Sequence, residues 1–111
     1  MNGQAQEIAE LDRIVHEPAR LSILTILDAV GEADFLYLQR EGGLTQGNLS
    51  SHLAKLEEAG YVEIEKTFKG KVPLTLCRLT TKGERALAEY SRRMLGILTG
   101  RRPGPPSSRK R

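Results

Sequence analysis

A chain of 111 residues, 39% of them hydrophobic, has material for one core and not for two. Its 17 basic residues outnumber 14 acids, and Cys77 is its single cysteine, so no intrachain disulfide forms and the scattered Cys and His show no spacing that would support structural zinc. No run approaches the ~18 apolar residues of a membrane span, and Met1 to Glu10 lacks the basic start and apolar middle of a secretory signal, so the expectation is a cytoplasmic protein.

The first predicted element is a helix over Gln4–Val15, with Ile8, Leu11, Ile14 and Val15 on one side, too short to be stable without partners. Pro18 suits the first turn of the next helix, Pro18–Val30. There Leu21, Leu24 and Leu27 line the core, and Ile23, Ile26 and Val30 widen the apolar face toward burial on two sides. Gly31 ends that helix, and Asp34 caps a shorter one, Phe35–Glu41. Gly42-Gly43 then makes a tight turn.

The stretch Leu44 to Val62 is the most informative. Leu49, Leu53 and Leu56 recur at the spacing of one helical stripe, while Gly47, Asn48, Ser50, Ser51, Ala54 and Lys55 fall opposite. Thr45 can cap the helix by accepting from the backbone of Gly47 or Asn48, and Gly60 supplies a left-handed stop. A solvent-facing helix surface is usually covered by long charged side chains. Here short hydroxyl and amide groups predominate. They allow close approach and hydrogen bonding, which suits a major groove about 12 Å wide, so the segment reads as a DNA recognition helix.

After Gly60 the period alternates. Val62, Ile64 and Phe68 share one face and Glu63, Glu65 and Thr67 the other; Lys69-Gly70-Lys71 turns the chain, and Val72–Leu79 returns with Pro73 restricting part of it to a sheet edge. The hairpin tip carries Lys66, Lys69 and Lys71, a good arm for a phosphate backbone. Thr81-Lys82-Gly83-Glu84 matches a capping box, predicting a helix from about Lys82. Along it Leu87, Tyr90, Met94 and Ile97 form a seam that Ala86, Leu95 and Leu98 broaden. Arg101–Arg111 has nothing apolar to bury besides proline and is expected to be a disordered basic tail, which leaves residues 1–100 as the folded domain.

Charge follows the same division. Met1 to Ala54 holds three arginines against eight acids, a balance of −5; Lys55 to Gly100 stands at +3 and Arg101–Arg111 at +5. Basic charge begins at the recognition helix, where groove reading requires phosphate contacts.

The element order, with Asn48-Leu49-Ser50-Ser51-His52-Leu53, Leu56-Glu57-Glu58-Ala59-Gly60-Tyr61-Val62 and Leu79-Thr80-Thr81-Lys82-Gly83, resembles the winged helix-turn-helix transcriptional regulators, in particular the small group allied to the MarR and ArsR families. The resemblance covers His16 to Tyr90. It implies a mainly α fold with a β-hairpin wing (α+β), carrying N- and C-terminal dimerisation helices. It also implies a homodimeric repressor or activator, with recognition helix 45–59 in the major groove and wing 66–71 on the backbone of a palindromic operator. On that likeness Gln46, Gly47, Asn48, Ser50, Ser51 and Lys55 read bases and groove backbone, and Lys66, Lys69 and Lys71 hold the wing positions. The paired cysteines of ArsR metal sensors are absent, as is a wing-tip arginine.

Among single residues, His52 reads as a phosphate contact or a satisfied boundary histidine, His16 as a partner of the last carbonyls of the first helix or of a dimer interface, and Cys77 as a small core residue. The apolar stripes of both chain ends favour dimerisation over internal core. An apolar junction between those helices and the DNA-binding core could take a small-molecule effector, but no polar constellation identifies one. The alternative function is a protein-interaction winged helix. Catalysis is disfavoured, because the chain offers no phosphate-binding glycine loop, metal set or carboxylate pair, and no cofactor is implied.

Overall fold

A computed structural model describes residues 3–100. The elements in chain order are α1 (Gly3–Ala9), α2 (Pro18–Val30), β1 (Glu32–Asp34), α3 (Phe35–Gly42), α4 (Gln46–Glu58), β2 (Val62–Lys69), β3 (Val72–Leu79) and α5 (Thr81–Thr99). The strands form an antiparallel sheet in the order β1-β3-β2. The expected basic tail, Arg101–Arg111, lies outside the described residues.

Helix α2 occupies the centre. Glu17 caps it by accepting from the Arg20 backbone N–H at 2.8 Å, and Pro18 takes the first position, where a missing N–H costs nothing. Ile23, Leu24 and Leu27 are fully buried, with Leu21 and Ile26 packed at the margin. Val30, expected on the apolar face, is 45% exposed because the helix ends there, past the edge of the core. Val15 before α2, Leu38 of α3, Leu49 and Leu56 of α4 and Cys77 of β3 are fully buried as well. Each such aliphatic side chain contributes roughly 2 kcal/mol through removal from water.

The first helix is shorter than its apolar period suggests. It stops at Ala9, and Asp12 makes a turn instead, its carboxylate accepting from the N–H of Ile14 at 2.8 Å and of Val15 at 3.3 Å. Leu11 and Val15 still reach the core, at 3% and 0% exposure, so burial continues after helical geometry ends. A short strand was not foreseen either: Glu32, Ala33 and Asp34 pair with Arg78, Cys77 and Leu76. A segment of this length carries too little alternation to register as a strand, and its pairing requires β3 to be in place.

At the start of α5 the cap is Thr80 rather than Thr81: its hydroxyl accepts from Gly83 N–H at 2.9 Å. Thr80 is held there because its own N–H donates to Tyr61 O at 3.1 Å and its hydroxyl donates to Gly60 O at 2.6 Å. A Cβ on Gly83 would sit 2.1 Å from Tyr61 O. Only glycine allows the end of α4, the base of the hairpin and the first turn of α5 to meet so closely.

Gly83→Ala should therefore lower stability by about 1–3 kcal/mol or more, the range for overpacking. Gly47→Ala, whose Cβ meets nothing within 4 Å, should leave stability unchanged or raise it by up to about 1 kcal/mol. Chemical denaturation midpoints of the two variants check the contrast.

Candidate nucleic-acid interface

Helix α4 is placed by its leucines. Leu49, Leu53 and Leu56 are 0%, 3% and 0% exposed, which turns Gln46, Gly47, Asn48, Ser50, Ser51, Ala54 and Lys55 to the outside. Thr45 caps the helix, accepting from Asn48 N–H at 3.1 Å. Gly60, at φ +82°, lets the chain reverse out of the helix into β2.

The hairpin stands beside this helix. Ile64 pairs with Cys77, Lys66 with Thr75 and Phe68 with Pro73, and by alternation these pairs share one face of the ladder. Gly70 has φ +65° and Lys71 is not in the left-handed region, the φ pattern of a type II′ turn that matches the twist of the flanking strands. An open groove of about 460 Å³ runs between helix and hairpin, bordered by Gln46, Ser50, Ala54 and Glu57 on one side and Lys66 and Thr75 on the other. Leu53, Ile64 and Phe35 form its floor.

Thus Gln46, Ser50 and Lys66 are brought together on the groove. Gly47, Asn48, Ser51 and Lys55 are also exposed, as are Lys69 and Lys71 at the hairpin tip, but none of these borders it. Phe35, Glu57 and Thr75 were not anticipated as part of this surface. The residue preceding each on the same helix face, or opposite it on the ladder, was the available signal for Glu57 and Thr75; Phe35 enters only through the way α3 crosses α4.

The electrostatics of the two sheet faces differ. On the face away from the groove, Arg78 donates to Glu65 at 2.8 Å, to Glu32 at 2.7 Å and to Glu63 at 3.2 Å, so the one arginine there is surrounded by carboxylates. These bonds hold its guanidinium charge firmly in place. In contrast, among the described residues no carboxylate pairs with Lys55, Lys66, Lys69 or Lys71. Four of the cations left without a carboxylate therefore lie on α4 and the hairpin.

The histidines are occupied. Arg20 donates to His52 Nδ1 at 3.2 Å, which leaves the ring proton on Nε2, and Glu17 lies 3.9 Å from the same nitrogen. Arg20 also donates to Ile14 O at 2.6 Å and Arg13 O at 3.3 Å, tying the N-terminal segment to α4. His52 is therefore held at the boundary through Nδ1. His16 Nδ1 bonds the Tyr90 hydroxyl at 2.6 Å instead of the carbonyls at a helix end, because α1 stops earlier and leaves His16 facing α5.

A family model for winged helix DNA-binding domains matches residues 19–98. The chain belongs to that family. An uncharacterised protein of Methanocaldococcus jannaschii is 40% identical over 79 residues, 70% of this chain and 85% of that one. The structure of a transcriptional regulator homologue from Pyrococcus horikoshii OT3 matches with a TM-score of 0.81 and 28% identity, over 89% of this chain and 97% of its own. A MarR-family regulator from Silicibacter pomeroyi shares the fold with a TM-score of 0.63 at 21% identity, over 87% and 64% of the two chains. The protein is a winged-helix transcriptional regulator allied in fold to the MarR group, and this family is one of DNA-binding domains, not of enzymes. The hairpin is its wing.

Two side chains give pH and reactivity tests of this architecture. Burial pushes the Cys77 thiol up to about 11, helped by the nearby Glu57 and Asp34 carboxylates and opposed by Arg78. Thiol reagents at neutral pH should leave it unmodified until the protein unfolds. Burial, followed by its hydrogen bond to Asp12 and that carboxylate's charge, raises the Tyr61 phenol from 10.0 to about 12. The unfolded chain ionises first, so the stability Tyr61 contributes is complete below pH 10.0 and declines between there and about 12. Tyr61→Phe should remove that part of the alkaline stability loss, read by denaturation at a series of pH values.

Proposed function

We propose that the protein is a sequence-specific double-stranded DNA-binding regulator that acts as a homodimer, with α4 in the major groove and the wing on flanking backbone. The observation that carries this reading is a short-side-chain helix face set across a groove from Lys66, which has no carboxylate partner, with Lys69 and Lys71 equally unpaired at the hairpin tip. Gln46, Gly47, Asn48, Ser50 and Ser51 have the reach and the donors and acceptors for base edges, and Gln and Asn suit adenine in particular. Lys55, Lys66, Lys69 and Lys71 supply the sequence-independent attraction to phosphate. Glu57 and Glu58 at the far end of α4 would repel phosphates, which favours entry by the N-terminal half.

Dimerisation is supported by what the core leaves uncovered. Leu87, Tyr90 and Ile97 of the α5 seam are buried within one chain and Met94 packs beside them, so most of that stripe serves the internal core. Leu95 and Leu98, 63% and 73% exposed, remain on α5, and Ile8 of the adjoining α1 is 40% exposed. A second copy would bury these residues and set two recognition helices about 34 Å apart on a palindromic operator, where occupancy would block or recruit polymerase. Repression is the reading preferred, since blocking requires no further contact.

Mobility-shift titrations over a range of salt concentrations test the interface. Lys69→Ala and Lys71→Ala should weaken binding to all duplexes and each flatten the log-affinity against log-salt slope by about 0.9, whereas Asn48→Ala and Ser51→Ala should change which sequence is preferred. Failure to bind random duplex at low salt would favour a protein partner for the same surface. Sedimentation velocity tests the assembly: Leu95→Glu with Leu98→Glu should convert a dimer to a monomer and weaken binding to a two-half-site duplex.

A further inference from the structure

The wing carries an apolar side chain that neither the core nor phosphate attraction explains. Along the groove-side face of the ladder, Ile64 and Cys77 belong to the core, Lys66 and Thr75 border the groove, and the next pair, Phe68 with Pro73, lies beyond both. Phe68 is 66% exposed and Pro73 is exposed beside it. One exposed aromatic is unremarkable by itself. This one is flanked by Lys66, Lys69 and Lys71 and stands on the side of the sheet that faces the outward surface of α4.

We propose that Phe68, backed by Pro73, is a wedge that the wing presses into the minor groove next to the major-groove site, partly opening a base step and bending the duplex. The inference rests on the DNA-binding reading and adds to it a residue that selects sequence through deformability. Charge complementarity chooses the occupant. The surrounding ammonium groups would be desolvated against an apolar protein surface, but they find phosphates along both edges of a minor groove about 6 Å wide. Alternate side chains on a strand are about 7 Å apart, so Lys66 can hold backbone while Phe68 enters the groove. The tip lysines are point charges without the flat fork of arginine, and Val72, 65% exposed, lies with Lys69 on the opposite face of the ladder, which leaves the phenyl ring as the flat group on the groove side. Apolar wedges of this kind unstack base steps and kink DNA toward the major groove. Pyrimidine–purine steps yield most easily, so the flank of the operator acquires a sequence preference without a hydrogen bond to any base.

The test uses the full chain and a duplex selected from a random pool, with fluorophores at its ends to report bending and 2-aminopurine substituted in turn at flanking steps to report unstacking. Wild type should shorten the end-to-end distance and raise emission at one flanking step. Phe68→Ala should bind about tenfold more weakly, within the range for loss of an aromatic–base contact, with less bending and no rise in emission. Its salt slope should be unchanged because no cation is removed, and Phe68→Leu should retain most of the bend. The exposed position predicts an unaltered melting temperature for both variants. Equal bending and emission with wild type and Phe68→Ala would overturn the wedge while leaving DNA binding intact. Self-association of wild type that Phe68→Ala abolishes, with bending unaffected, would assign the patch to a second copy and also overturn it. If wild type binds no duplex at all, the wedge and the regulator reading fail together.

Discussion

The arrangement depends on the junction where Gly60-Tyr61 crosses Thr80 to Gly83. Helix α4, the wing and α5 all begin or end there. Thr80 answers two carbonyls of the crossing chain and still caps α5, while the bare backbone of Gly83 admits Tyr61 O to a distance no side chain would tolerate. The Tyr61 ring lies under Lys82 Nζ at 5.7 Å and its hydroxyl donates to Asp12, so the N-terminal segment is drawn into the same junction. Because both strands of the wing leave from this point, its position relative to α4 follows from close packing and not from contacts at its far end.

A rigid base and a free tip are useful for a protein that must match a surface with its own shape. The wing's base is packed through Val62, Ile64 and Cys77, and its tip from Phe68 to Pro73 is exposed. Local fluctuation is therefore expected to increase toward Gly70, where few apolar contacts oppose it. Arg20 plays a comparable role on the other side of α4. By joining His52 to the carbonyls of Arg13 and Ile14, it couples the recognition helix to the segment leading from α1.

Charge is segregated by pairing as well as by position. Arg78 is neutralised within the sheet by carboxylates of both neighbouring strands, whereas the lysines of α4 and the wing are left open. The formal balance of +3 therefore understates the contrast between the two faces of the sheet. Lys66 borders the groove across from Glu57, whereas the sheet face behind it gathers Glu32, Glu63 and Glu65 around Arg78.

Periodicity by itself determined the elements that bury a long regular stripe. The Leu49, Leu53 and Leu56 spacing, the alternation from Val62 onward and the caps at Asp34 and Thr45 are local properties, and the structure contains the helices and strands they specify. The short side chains of α4's outer face are likewise written in the residues, and the structure leaves that face exposed. Tertiary structure decided the features that require two distant segments at once. The β1 strand exists only as a partner of β3, α1 ends where Asp12 finds Tyr61, and the α5 cap shifts to Thr80 because Gly60 and Tyr61 offer carbonyls there. It also decided that most of the α5 seam turns inward and that Phe68, which shares a face with buried Val62, projects past the core. Alternation assigns a side to each residue, but only the extent of the neighbouring layer decides whether that side is covered.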